Sequence, residues 1–138
     1  MNLYKYFTHP EQLDGYENRI RIPDIAYRAA ENGEITWEQA EPYIMKDPRS
    51  ACWNALVVLK HRWPEAEQYI VKDPWWTYWY AYNILKHRWP EAEPYIMKDP
   101  RSAYLYVFRV IKRRWPKAEP HIMKDLKRWN KYKRAFGL

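Results

Sequence analysis

Residues 88–99 read RWPEAEPYIMKD, and close copies recur along the chain: TWEQAEPYIMKD at 36–47, RWPEAEQYIVKD at 62–73 and RWPKAEPHIMKD at 114–125. The tryptophans that mark them, Trp37, Trp63, Trp89 and Trp115, are 26 residues apart each time. A period of this size is the signature of units that bury their apolar faces only by stacking on one another. The expected fold is therefore all-α: a small α-solenoid of tandem two-helix repeats.

Each full unit divides into a longer and a shorter helix. The longer one starts at Asp47-Pro48, Asp73-Pro74 and Asp99-Pro100. There the Asp side chain can accept a bond from a free backbone N–H, and the Pro presets φ at the first helical position. It runs to about Lys60, Lys86 and Lys112, cations suited to the carboxyl end of the helix dipole. The shorter helix covers roughly residues 89–98, with Pro90 at its start. Pro94 then falls fifth and deletes an intrahelical bond, so a tight first turn and a short helix proper are expected. Gln68 at the equivalent position shows that this proline is not obligatory.

Equivalent positions in the three long helices define their apolar faces. Ala51/Thr77/Ala103, Ala55/Ala81/Val107, Val58/Ile84/Val110 and Leu59/Leu85/Ile111 lie at offsets 0, 4, 7 and 8, one helical face. A second line, Trp53/Trp79/Leu105 with Leu56/Tyr82/Phe108, gives each helix a further apolar face and so predicts neighbours on both sides.

The ends depart from the pattern. Residues 1–22 do not match the repeat and are expected to form an N-terminal cap, with Asp14-Gly15 as a turn. The repeats occupy 23–125 and open on a half unit, PDIAYRAAENG, bounded by Asp24 and by Asn32-Gly33. Residues 126–138 form a basic C-terminal capping helix, with Leu126, Trp129, Tyr132 and Phe136 on its apolar side. All 138 residues make one domain.

Composition narrows the class of protein. Nine Trp and 13 Tyr exceed what a disordered chain would carry. No apolar run approaches the ~20 residues of a membrane span. The first residues, MNLYKYFTHPEQLDGYEN, lack the basic start and apolar middle of a signal peptide, so a soluble cytoplasmic protein is expected. The single cysteine, Cys52, excludes an internal disulfide framework and reads as buried packing. Charge is unevenly placed. Residues 1–108 hold 13 Lys/Arg against 15 Asp/Glu, whereas residues 109–138 hold 11 against Glu119 and Asp125, a balance of +9. One electropositive pole favours phosphates or an acidic protein surface as partner.

Several constellations invite a chemical reading. Trp75 and Trp76 stand where other units carry Arg49/Arg101 and Ser50/Ser102, so they exceed what the repeat demands. Either they pack against the neighbouring unit or, with Trp79, they form an anchor for a protein or a platform for bases. Lys127, Arg128, Lys131, Lys133 and Arg134, interleaved with aromatics, are either a solvated cap or a contact for nucleic acid or an acidic partner. Glu65 with Glu67 and Glu91 with Glu93 resemble acid–base pairs, but their recurrence at helix starts points to a structural role. His61 and His87 repeat in register without ligands at metal spacing. No glycine-rich phosphate loop and no nucleophile–base arrangement stands apart from the repeat. The chain is thus expected to be non-enzymatic, with no metal and no cofactor.

The repeat as written in AYNILKHRWPEAEPYI and AYLYVFRVIKRRWPKAEPHI resembles short helical repeats of bacteriophage and prophage proteins, over about residues 23–125. That resemblance supplies no catalytic residues. It implies a small phage accessory protein, a class that includes inhibitors of host defence such as anti-CRISPR and anti-restriction proteins. The function expected is docking on, and inhibition of, a host protein or complex in the host cytoplasm. The alternative is sequence-nonspecific RNA or DNA binding through the basic pole.

Overall fold

A computed structural model describes residues 22–138, and all regular structure among them is helical. The expected N-terminal cap lies outside the described residues. The chain opens with α1 (Ile22–Glu31), whose end is closed by Gly33 at φ 78° and by the Glu34 N–H donating to the Ala29 carbonyl at 2.9 Å. Next comes α2 (Trp37–Ile44), capped reciprocally: Thr36 accepts from the Gln39 N–H at 3.1 Å and Gln39 accepts from the Thr36 N–H at 2.9 Å. Tyr27 of α1 meets Trp37 edge-on at 5.2 Å.

Three long helices follow the Asp-Pro pattern: α3 (Pro48–Asn54), α5 (Pro74–Tyr80) and α7 (Pro100–Tyr106). Asp47, Asp73 and Asp99 cap them by accepting the N–H of Ser50, of Trp75 and Trp76, and of Ser102. Each cap is worth about 0.5–2 kcal/mol. Every one of the three continues into a wider π-helical turn, at Ala55–Leu59, Ala81–Leu85 and Val107–Ile111. The turn is then broken by Lys60, Lys86 or Lys112 in the left-handed region at φ 61°. In the last two, the lysine N–H reaches back five residues, to Ala81 at 2.7 Å and Val107 at 2.6 Å.

The π turn corrects the expected core line. Ala51, Thr77, Ala103, Ala55, Ala81 and Val107 are fully buried, but Val58, Ile84, Val110, Leu59, Leu85 and Ile111 are only half-buried. Offsets of 7 and 8 share a face with 0 and 4 only while the period stays at 3.6 residues per turn. A five-residue turn swings the last positions away from that face.

The short helices are α4 (Pro64–Ile70), α6 (a 3₁₀ turn Pro90–Ala92 leading into Glu93–Ile96) and α8 (Pro116–Ala118, then Glu119–Ile122). The split occurs in the two helices that carry both prolines, Pro90 with Pro94 and Pro116 with Pro120, whereas α4, with Gln68 in the second position, and α2, with Glu38 in the first and Pro42 in the second, are α-helical throughout. The chain ends in α9 (Leu126–Phe136), capped by Asp125 and closed by Gly137 at φ 68°. The long helices lie side by side in the order α3, α5, α7, α9, and each short helix packs on the two long helices that flank it.

Candidate interaction site

The recurring carboxylates belong to a latch that repeats three times. Tyr80, on α5, donates its hydroxyl proton to Glu67 at 2.8 Å and accepts the Trp63 backbone N–H at 2.7 Å. Arg62 grips the same carboxylate with two parallel bonds of 2.7 and 2.8 Å. Tyr106 with Glu93, Trp89 and Arg88 repeats the arrangement, and so does Tyr132 with Glu119, Trp115 and Arg114. The tyrosines are fully buried, and the rings of Tyr80 and Tyr106 lean on the next marker tryptophans, Trp89 and Trp115, at 5.3 and 5.2 Å.

This geometry sets the acidities. Burial by itself would raise the Glu93 carboxyl, but the bonds from Arg88 and Tyr106 outweigh it and hold its pKa below 4.5. At Glu119 the Arg114 bond dominates and lowers it likewise. Burial, reinforced by the carboxylate bond, pushes the Tyr80 and Tyr106 hydroxyls above their usual value. Through their bonds to arginine and tyrosine, Glu67, Glu93 and Glu119 hold short helix to long helix. Glu65 and Glu91 are exposed.

The three tryptophans expected to form one site are divided by α5. Trp75 belongs to a column running along that helix: Arg101 of α7 lies 4.2 Å over its ring, Trp75 meets Tyr78 at 5.3 Å, and Tyr78 stacks on Tyr82 at 6.2 Å. Arg109 closes the column, 5.5 Å from the Tyr82 ring, and donates to the Tyr78 hydroxyl at 2.9 Å. Trp75 is thereby tied to α7. Trp76 turns to the other side, toward α3, and meets Trp79 edge-on at 5.6 Å. All three are half-buried against the core.

Larger exposed apolar surface lies on α3 and on the π turns that follow α3 and α5, where Trp53, Leu56 and Tyr82 belong to the second apolar line of the long helices. Trp53 is 52% exposed, with Leu56, Val57 and Tyr82 at 37%, 39% and 41%. On this second face Phe108 is covered by Tyr132 and Phe136 of α9, at 6.3 and 5.5 Å, and Trp79 is half-buried, which leaves Trp53, Leu56 and Tyr82 as its open part. Beside the open part runs a groove of about 560 Å³ lined by Leu56, Tyr82, Asn83, Lys86, Arg109, Val110 and Lys112. Its charged residues are all cationic.

The basic stretch on α9 is likewise divided. Arg128 is paired with Asp125, and Lys133 lies 6.0 Å from the centre of the Trp129 ring. Lys127, Lys131 and Arg134 are exposed. Tyr132 faces inward as the third latch tyrosine. Leu126, expected on the apolar side, is 69% exposed.

Cys52 is buried, and its burial raises the thiol pKa far above the ordinary value. His61 and His87 are exposed, each with Nδ1 at 2.7 Å from the carbonyl of the following arginine. No cluster of metal-ligating side chains occurs among the described residues, and no helix among them is long and apolar enough to cross a membrane. No protein-family model, curated protein or solved structure matches the chain.

Proposed function

We propose that the chain is a short α-solenoid with a non-enzymatic docking function, and that its partner is a protein with an acidic surface around an apolar anchor. The observation that carries this reading is the open row Trp53, Leu56, Val57 and Tyr82, next to a groove bearing Lys86, Arg109 and Lys112. Exposed apolar surface rimmed by one sign of charge marks interaction sites in soluble proteins. Burying the row supplies affinity, and the cations select an acidic rim and speed encounter. The resemblance to phage repeats makes a host protein or complex of the defence type the preferred partner, met in the host cytoplasm and blocked by occupancy.

The test is affinity capture from a nuclease-treated bacterial lysate, comparing wild type with a Leu56→Asp/Tyr82→Ala variant. A stoichiometric protein partner that survives nuclease, weakens with added salt and is lost in the variant is the expected result. Loss of all capture on nuclease treatment overturns the reading. A second reading, contact with nucleic acid through α9, rests on exposed Lys127, Lys131 and Arg134. It requires steep salt-dependent binding of mixed-sequence RNA or DNA that disappears when Lys127, Arg128, Lys131, Lys133 and Arg134 become Gln.

A further inference from the structure

A second concavity, of about 510 Å³, opens where α1, α3 and α5 meet. Tyr27 and Arg28 come to it from α1, Arg49 and Trp53 from α3 and Trp76 from α5, with Asp24 alongside. Its volume falls within the roughly 300–1,000 Å³ of small-molecule sites. Two features separate it from a packing gap. Trp76 occupies a slot that holds serine in the units before and after, at Ser50 and Ser102, so the repeat does not require an indole there. And the side chains of Arg28 and Arg49 are exposed and make no ion pair, hydrogen bond or ring contact among the described residues. The arginines of the latches are all engaged, and Arg101, which repeats the position of Arg49, is stacked on Trp75.

We propose that this cavity binds a nucleotide. The indoles of Trp53 and Trp76 take the base, since a flat ring of any base stacks on an aromatic side chain. The guanidinia of Arg28 and Arg49 take the phosphate, for which their forked donors are matched. Asp24 accepts a hydrogen bond from an amino group of the base or a hydroxyl of the sugar. This carboxylate decides the ligand class: it repels a bare anion, so the site favours a phosphate that carries hydrogen-bond donors on a flat ring. The proposal goes beyond docking on a protein: it shares Trp53 with that surface but uses neither Tyr82 nor the groove cations.

The experiment is a titration of the full chain, followed by tryptophan fluorescence. The probes are AMP, GMP, CMP, UMP, adenosine, inorganic phosphate and a short 5′-phosphorylated single-stranded DNA. Saturable quenching by mononucleotides, clearly tighter than by adenosine or phosphate alone, is expected. Arg28→Ala/Arg49→Ala, both exposed and so expected to fold normally, should weaken binding by at least about tenfold, the loss of charge-assisted bonds to phosphate. Trp76→Ser, which restores the residue of the adjacent units, should weaken it as well. Changing Lys127, Arg128, Lys131, Lys133 and Arg134 to Gln should leave it unaltered. Binding of the oligonucleotide but of no mononucleotide, still lost in the double arginine variant, assigns the same chemistry to a strand end. Equal affinity for phosphate and AMP, binding indifferent to Arg28 and Arg49, or no saturable response to any probe overturns the proposal.

Discussion

At the scale of single residues, the latch tyrosines join each short helix to the long helix that follows it. Each hydroxyl is both donor and acceptor between two backbone segments that lie 17 residues apart. Tyr106→Phe keeps the ring and deletes both bonds, leaving the buried Trp89 N–H without its acceptor. The expected loss is about 1–3 kcal/mol in urea unfolding, against about 0.5 kcal/mol or less for exposed Glu91→Ala. Equal effects of the two changes would remove the latch from the account. The pH dependence follows from the same groups. Glu93 and Glu119 have folded pKa values below 4.5, so the stability they add is complete above that pH and is lost as pH falls through the lower folded value. Tyr80 and Tyr106 lie above 10.0, so their share is complete below that pH and fades as pH rises past it. A urea midpoint that stays flat below pH 4.5 would contradict this. The first unit shows what the latch replaces. At the latch-tyrosine position it carries Asn54, which is buried with both amide atoms unbonded, and at the latch-arginine position it carries Thr36. Because a buried unsatisfied amide costs about 1–3 kcal/mol, Asn54→Leu is expected to raise the melting temperature. A lower melting temperature would mean that the amide has a partner in solution.

At the scale of elements, what was legible in the sequence was what local chemistry fixes. Asp47-Pro48, Asp73-Pro74 and Asp99-Pro100 announce helix starts because cap and first turn lie within four residues of each other. Pro90 and Pro94 together announced the tight first turn of α6, since both act within one turn, whereas Pro42 without a proline at position 38 leaves α2 α-helical. The π turns were not legible, since Ala81–Leu85 has the composition of an ordinary helix end. The latch was hidden by sequence distance, since Glu93 and Tyr106 are 13 residues apart in separate helices. A signal for it was present nonetheless, because Arg and Tyr recur together in three units and are both missing from the first. The most exposed rings are not the ones the sequence singled out. Trp75 and Trp76 were conspicuous for breaking the repeat, whereas Trp53 and Tyr82 obeyed it, and only packing decides which rings of a repeat are left uncovered. A testable consequence at this scale concerns the left-handed lysines. Lys86 at φ 61° pays for a conformation that glycine adopts freely, partly offset by the greater freedom of glycine in the unfolded chain. Lys86→Gly should therefore stabilise by up to about 1 kcal/mol, while Lys86→Val should destabilise. The reverse order in urea midpoints would show that the lysine side chain itself closes the helix.

At the scale of the whole molecule, α9 has two roles on opposite faces, and separating them decides how the basic pole is to be understood. Inward, it completes the array: Tyr132 supplies the hydroxyl that Glu119 and Trp115 would otherwise lack, and Tyr132 and Phe136 cover Phe108. Outward, Lys127, Lys131 and Arg134 stand in solvent. In an array of nearest-neighbour contacts, the terminal element acts on its own unit and hardly on distant ones. Tyr132→Phe should thus lower stability by about 1–3 kcal/mol and speed amide hydrogen exchange in α8 more than in α4, with polyanion binding unchanged. Replacing Lys127, Arg128, Lys131, Lys133 and Arg134 with Gln should do the opposite. Among the described residues Arg128 alone of these five holds an ion pair, to Asp125, and such a half-exposed pair contributes about 1 kcal/mol or less. Heparin retention should then collapse and lose its salt dependence while the unfolding midpoint stays close to wild type. If the glutamine variant unfolds as readily as Tyr132→Phe, the cations are part of the fold, and the charge at this end ceases to be an argument for any partner.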